Sequence, residues 1–166
     1  MDKITLTRIQ LLHPAVRDSA LRVYELAEEA LAGTASLRFA QTLRTFEDQA
    51  VLYSQGRTIE GPVVTDAVAG KSWHNYGLAF DIVLLIKDAS GKVTATWDMR
   101  TDFDGDKVPD WREVVNIAKA EGWAWGGEWK KPDNPHFDKT FGLKISTALA
   151  RYNKRDFIPG TKYIRI

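Results

Sequence analysis

Cysteine is absent from this 166-residue chain. That excludes disulfides, thiolate nucleophiles and the cysteine-bearing sites that usually hold structural zinc. Long apolar runs are absent too, so no segment is expected to span or insert into a bilayer. Met1–Arg8 lacks the basic stretch followed by an apolar run that a secretory leader needs, so synthesis in the cytoplasm is expected. No charge sign dominates. The formal net charge of +1 gives no reason to expect nucleic acid or an anionic membrane as a partner. Repeats, low-complexity tracts and linkers are also missing, which predicts one domain over 1–166 and no separate binding domain. What is present is ordinary for a soluble globular protein, at 44% hydrophobic and 27% charged, in a chain long enough to bury a core.

The patterning predicts an α+β domain with a small antiparallel sheet and flanking helices. Pro14 opens a helix whose apolar positions Val16, Ala20, Val23, Leu26, Ala27, Ala30 and Leu31 recur at helical spacing, with Gly33 as its stop. Ser36–Thr42 alternates like a strand. Thr45 caps a second helix running to about Gln55, and 57–71 reads as a loop. Leu78–Ile86 is a buried strand, joined by an Asp88-Ala89-Ser90-Gly91 turn to a second strand over Val93–Trp97. A helix over Trp111–Glu121 stops at Gly122. Trp123–Trp125 and His136–Phe137 are short strands, and Leu143–Tyr152 is a last helix.

Histidine is scarce, with three in the chain, and two of them stand near carboxylates. The segments are Ser72-Trp73-His74-Asn75-Tyr76-Gly77-Leu78-Ala79-Phe80-Asp81 and Pro135-His136. Two imidazoles and one carboxylate, with a position left for water, make the ligand set of a catalytic zinc. Asp81 lies inside the apolar strand Phe80–Ile86, where an unpaired carboxylate would be costly. A turn at Gly77 would return the His74 ring over the strand end, and His136 would come from a neighbouring strand. The plainer alternative has His74 capping a loop and Asp81 paired with an arginine. The joint pattern favours His74, Asp81 and His136 as zinc ligands, hence metal-assisted hydrolysis.

Such chemistry needs a proton acceptor. Asp133, three residues before His136, is within reach. Glu128 competes with it, and Pro132-Asp133-Asn134-Pro135 is also good turn composition. A second constellation runs from Asp102 to Glu113. Counting Asp102 as position 1, the acids Asp102, Asp104, Asp106, Asp110 and Glu113 fall at 1, 3, 5, 9 and 12, with the Val108 carbonyl at 7. That is the ligand spacing of an EF-hand calcium loop, departing from it by Lys107 where glycine is usual. A solvated acidic turn is the alternative. Calcium is expected because like charges this close repel without a cation. Trp73, Trp123, Trp125 and Trp129 stand near the zinc motif and suggest aromatic walls for glycan or peptide, with core packing an equal explanation for some of them. The paired glycines in Trp125-Gly126-Gly127-Glu128-Trp129 suggest a flexible rim with unusual backbone angles.

The string Ser72-x-His74-x-x-Gly77-x-Ala79-x-Asp81, followed by Asp133-x-x-His136, resembles the zinc peptidases of the D-Ala-D-Ala carboxypeptidase / VanY family, peptidase family M15. Within it the chain is most similar to L-alanyl-D-glutamate endopeptidases of phage endolysin and cell-wall hydrolase type. The resemblance spans about Arg38 to Gly142. It implies a hedgehog/DD-peptidase-like fold, His74, Asp81 and His136 on zinc, and Asp133 as base where other members carry glutamate. It also implies Arg44 as the oxyanion-stabilising cation and Ser72 as a substrate contact. The family's Ser-Gly-Tyr-Arg lead is replaced here by Gln41-Thr42-Leu43-Arg44. The implied activity is hydrolysis of peptidoglycan stem peptides at the L-Ala-D-Glu bond, by a monomer reaching the wall through release or another export route. The alternatives are a D-Ala-D-Ala carboxypeptidase or dipeptidase, and a zinc- and calcium-containing binding module without catalysis.

Overall fold

A computed structural model describes residues 1–33 and 35–166. Their order is α1 (Lys3–Gln10), α2 (Pro14–Ala30), β1 (Ala35–Gln41), α3 (Phe46–Ser54), β2 (Ala79–Lys87), β3 (Val93–Thr96), α4 (Asp110–Ala120), β4 (Ala124–Trp125), β5 (His136–Asp138) and α5 (Ile145–Asn153). A single antiparallel sheet runs β1-β2-β5-β4. β3 also pairs with β2 and shares one of its edges with β5: β5 lies opposite Ala79–Asp81, and β3 opposite Leu84–Lys87. The predicted α+β architecture is present.

Strand alternation decides which residues meet. Phe80, Ile82 and Leu84 of β2 face the core, where Phe80 stacks between Phe39 of β1 at 4.2 Å and Phe137 of β5 at 5.2 Å. Trp123 meets the same Phe80 ring at 4.5 Å. The residues between them, Asp81 on β2 and His136 on β5, point to the opposite face and are direct partners in the register. One pleat therefore builds an aromatic core on one side and a polar site on the other.

The helices follow the predicted signals with ends shifted by a residue or two. Pro14 is the first residue of α2, and Thr45 caps α3 by accepting from the Asp48 N–H at 2.9 Å. Helix α1 was not legible in the apolar periodicity, because it is eight residues long and buries only Thr5 and Ile9. Its start is nevertheless written in the sequence: Asp2 caps it by accepting from the Thr5 N–H. This helix covers β1, since Thr5 Oγ1 accepts from the Phe39 N–H at 3.1 Å and Arg8 donates to the Phe39 carbonyl at 2.6 Å. Capped this way, the edge strand does not offer the Phe39 N–H and carbonyl to another chain.

Candidate metal centre and active-site cavity

Residues Trp73–Tyr76 form a single 3-10 turn that ends on Gly77 at φ +67°. A side chain at Gly77 would also meet the His13 backbone nitrogen at 2.7 Å, so glycine is required twice over. The turn carries the buried His74 back over the head of β2. Its Nδ1 lies 2.7 Å from the Thr42 carbonyl, which fixes the tautomer as Nδ1–H and turns the Nε2 lone pair inwards. Asn75 ties this turn to the next element: it donates to the Arg44 and Thr45 carbonyls and accepts from Gly70 N–H.

Three donors converge. His74 Nε2 is 3.1 Å from Asp81 Oδ1, His136 Nδ1 is 3.1 Å from the same oxygen, and the two nitrogens are 3.2 Å apart. Tetrahedral zinc with ligands at ~2.0–2.1 Å needs donors about 3.3 Å apart. The observed spacings match that requirement. With its Nδ1 proton committed to Thr42, His74 turns its Nε2 lone pair to the centre of the triangle. The residues therefore fit a cation. His136 Nε2, buried without a hydrogen bond, faces Asp138 Oδ2 at 3.6 Å. Strand alternation puts 136 and 138 on one face, so Asp138 was legible in His136-Phe137-Asp138 but went unassigned. A carboxylate behind a ligating imidazole orients it and raises its basicity.

The electrostatics follow from this crowding. Burial alone would raise the Asp81 carboxyl, but the two imidazoles outweigh it and hold Asp81 well below the usual carboxylate range. Burial would likewise lower His136, and Asp138 and Asp81 outweigh it, raising the imidazole to about 9 in the absence of a metal. Asp133 is pushed up, first by the enclosing walls and then by the charge of Asp81.

The triangle lies at the floor of a cavity of about 640 Å³ lined by Arg44, Ser72, Trp73, Trp129 and Asp133, among others. Arg44 is almost buried, 3.9 Å from Asp81 Oδ2, and its guanidinium donates to Gln49 Oε1 at 2.9 Å. Gln49 is fully buried and also donates to the Ala67 carbonyl, so it fixes both the cation and a cavity wall. Sequence reading missed Gln49; an amide inside a helix otherwise short of buried residues was the available signal. Glu128 does not line the cavity and is paired with Lys119.

The tryptophans divide between wall and core, and the flexible glycine rim needs correction. Trp73 and Trp129 are cavity walls, and Trp129 packs on His136 at 5.0 Å between centroids, but Trp123 belongs to the core and Trp125 anchors the backbone by donating to the Asn134 carbonyl at 2.7 Å. The Gly126-Gly127 pair forms a 3-10 turn with Glu128, and neither glycine has a positive φ. Glycine is needed there for close approach. A Cβ on Gly126 would meet the Asp133 carbonyl oxygen at 2.5 Å, and one on Gly127 would meet the Trp125 ring at 2.2 Å.

The acidic loop lies outside the cavity. Asp102, Asp104 and Asp106 bring carboxylate oxygens within 4.8 Å of one another, and Lys107 takes φ +79°, the left-handed turn that glycine usually supplies. Burial, then the neighbouring loop acids, push Glu113 up to about 7.

Known proteins agree with this geometry. Residues 65–139 match the family model described as D-alanyl-D-alanine carboxypeptidase, a span that contains His74, Asp81, Asp133 and His136. The chain is 41% identical over 133 residues to the peptidoglycan L-alanyl-D-glutamate endopeptidase CwlK of Bacillus subtilis (strain 168), covering 76% of this chain and 72% of that protein. Likeness of that extent shows that the chain belongs to the M15 family of D-alanyl-D-alanine carboxypeptidase-type peptidases.

Proposed function

We propose that this peptidase hydrolyses the L-Ala-D-Glu bond of peptidoglycan stem peptides, with zinc held by His74, Asp81 and His136. The observation that carries the reading is the triangle of two imidazole nitrogens and one carboxylate oxygen, 3.1–3.2 Å apart, lining a cavity that also holds a carboxylate and a cation. The choice of bond rests on the similarity to the Bacillus enzyme.

Zinc in this site would supply Lewis acidity and an acidified water. The chain's own residues supply the rest. Asp133 takes the proton from the attacking water and passes it to the departing amine of D-Glu, and the walls that raise its pKa suit it to both steps. Arg44, immobilised by Gln49, faces the charge that develops on the L-Ala carbonyl oxygen. Asp138 holds His136 in the orientation that directs Nδ1 inwards. Trp73, Trp129 and Ser72 line the space for the peptide.

In this reading the protein works as a monomer at the cell wall. Among the described residues no helix is long and apolar enough to cross a membrane. The test is digestion of purified peptidoglycan with mass spectrometry of the new termini. Free L-Ala carboxyl and D-Glu amine groups are expected. Release of D-Ala alone would assign the carboxypeptidase reaction instead. His74→Ala is expected to lose both zinc and activity, and Asp133→Asn to keep zinc while losing about 10²–10⁴ in turnover. Near-parental activity in Asp133→Asn with an inactive Glu128→Gln would make Glu128 the base instead.

A further inference from the structure

Four buried side-chain polar atoms lack a hydrogen-bond partner among the described residues, and two of them, Asp110 Oδ2 and Glu113 Oε2, flank the acidic loop. Asp110 is fully buried. Its Oδ1 accepts from the Phe103 N–H at 2.8 Å, which turns the carboxylate onto the loop and leaves the second oxygen without a donor. The three loop aspartates bring carboxylate oxygens within 4.8 Å of one another, and their charges reach Asp110 and Glu113. Asp102 is fixed by the N–H groups of Gly105 and Lys107, Asp104 by that of Asp106, and Asp106 by that of Val108. Arg112, which follows in α4, is directed instead over the Trp125 ring at 5.9 Å. Five carboxylates thus share one end of a helix, two of them with buried oxygens that nothing satisfies. A buried carboxylate without a partner is costly, and like charges add to the cost.

We infer that Asp102, Asp104, Asp106, the Val108 carbonyl, Asp110 and Glu113 form a calcium site at the head of α4. The donors are all hard oxygens, which selects calcium or magnesium over the transition metals. Six groups, one of them a glutamate able to give both oxygens, suit the larger and more adaptable ion, whereas magnesium keeps several waters and demands a strict octahedron. The site stands independently of the peptidase reading, since none of its residues lines the cavity. It is nonetheless linked to it mechanically: Arg112 lies over Trp125, and Trp125 holds the Asn134 carbonyl between Asp133 and His136.

The test is calorimetric titration of calcium chloride into the full-length, zinc-supplied protein, with thermal unfolding in parallel and magnesium chloride as the comparison. One calcium per chain is expected, with a rise in Tm of roughly 5–10 °C at a hundredfold excess over Kd. The double variant Asp104→Ala plus Asp106→Ala should lose the calcium heat and the Tm rise. It should keep its zinc and unfold no earlier than the calcium-free parent, because repulsion has been removed. Absence of heat and of any Tm shift at millimolar calcium would overturn the site. Calcium binding unchanged in the double variant would overturn the ligand set, and equal affinity for magnesium would overturn the choice of ion.

Discussion

Replacing Gly126 by alanine tests whether the backbone around Asp133 is held as tightly as the geometry implies. The two segments face each other across one hydrogen bond, from the Asp133 N–H to the Gly126 carbonyl at 3.0 Å. A methyl group at 126 would lie 2.5 Å from the Asp133 carbonyl oxygen, 3.1 Å from the His136 Cβ and 3.3 Å from the Asp133 Cβ. Relaxed carbon–oxygen contact needs about 3.3 Å, so the Asp133 carbonyl must retreat by about 0.8 Å. That carbonyl accepts the His136 N–H at 3.2 Å, so the displacement moves a proposed zinc ligand with the proposed base. Overpacking of this kind costs ~1–3 kcal/mol, or roughly 2–12 °C of Tm in a domain of this size. The effect on turnover should be larger, since a misplacement of about 1 Å in a catalytic array costs ~10²-fold. The assay is release of peptidoglycan fragments at a temperature well below the variant's own Tm, with zinc content measured alongside. A Gly126→Ala protein with parental turnover and parental Tm would refute the reasoning, because the two segments would then be free to separate.

Asp138→Asn should weaken zinc binding by about 10–100-fold with little change in fold, measured by competition with a chelator, since the residue touches His136 and not the donor triangle. Parental zinc affinity would leave Asp138 without the orienting role. Asp2 sets part of the acid stability. Burial would raise its carboxyl, but the Arg38 guanidinium at 2.9 Å and Thr5 outweigh it and hold it at about 2, against 3.8 in an unfolded chain. A depressed carboxyl stabilises the fold above the unfolded value and ceases to do so as pH falls through the folded one. Asp2→Asn should therefore lower Tm at pH 6, with the difference shrinking between about pH 4 and pH 2; a gap that persists at pH 2 would contradict the linkage.

Local rules carried much of the site into view. The His74 turn was readable because Gly77 follows it, and Asp81 stood out because an acid inside Phe80–Ile86 demands a partner. What sequence could not show was made by contacts across the sheet. Gln49 reads as an unremarked helical amide until its two ends are seen on Arg44 and Ala67. Trp123 and Trp125 stand two residues apart in the same aromatic-rich stretch, and only the packing sends one to Phe80 and the other to the Asn134 carbonyl. The Gly126-Gly127 pair signals freedom by composition, whereas the neighbouring backbone uses it for closeness. Helix α1 buries too little to leave a periodic trace, and its reason for being there is the free edge of a strand thirty residues away.

The alternation of β5 makes the core and the cavity depend on the same register. His136 and Phe137 are neighbours on a strand of three residues, one facing Asp81 and the other Phe80. Slipping the pairing by one residue would exchange them, emptying the core and dismantling the donor triangle in the same stroke. A single strand thus ties the cavity to the core, and a substitution that shifts its register is expected to cost stability and activity together.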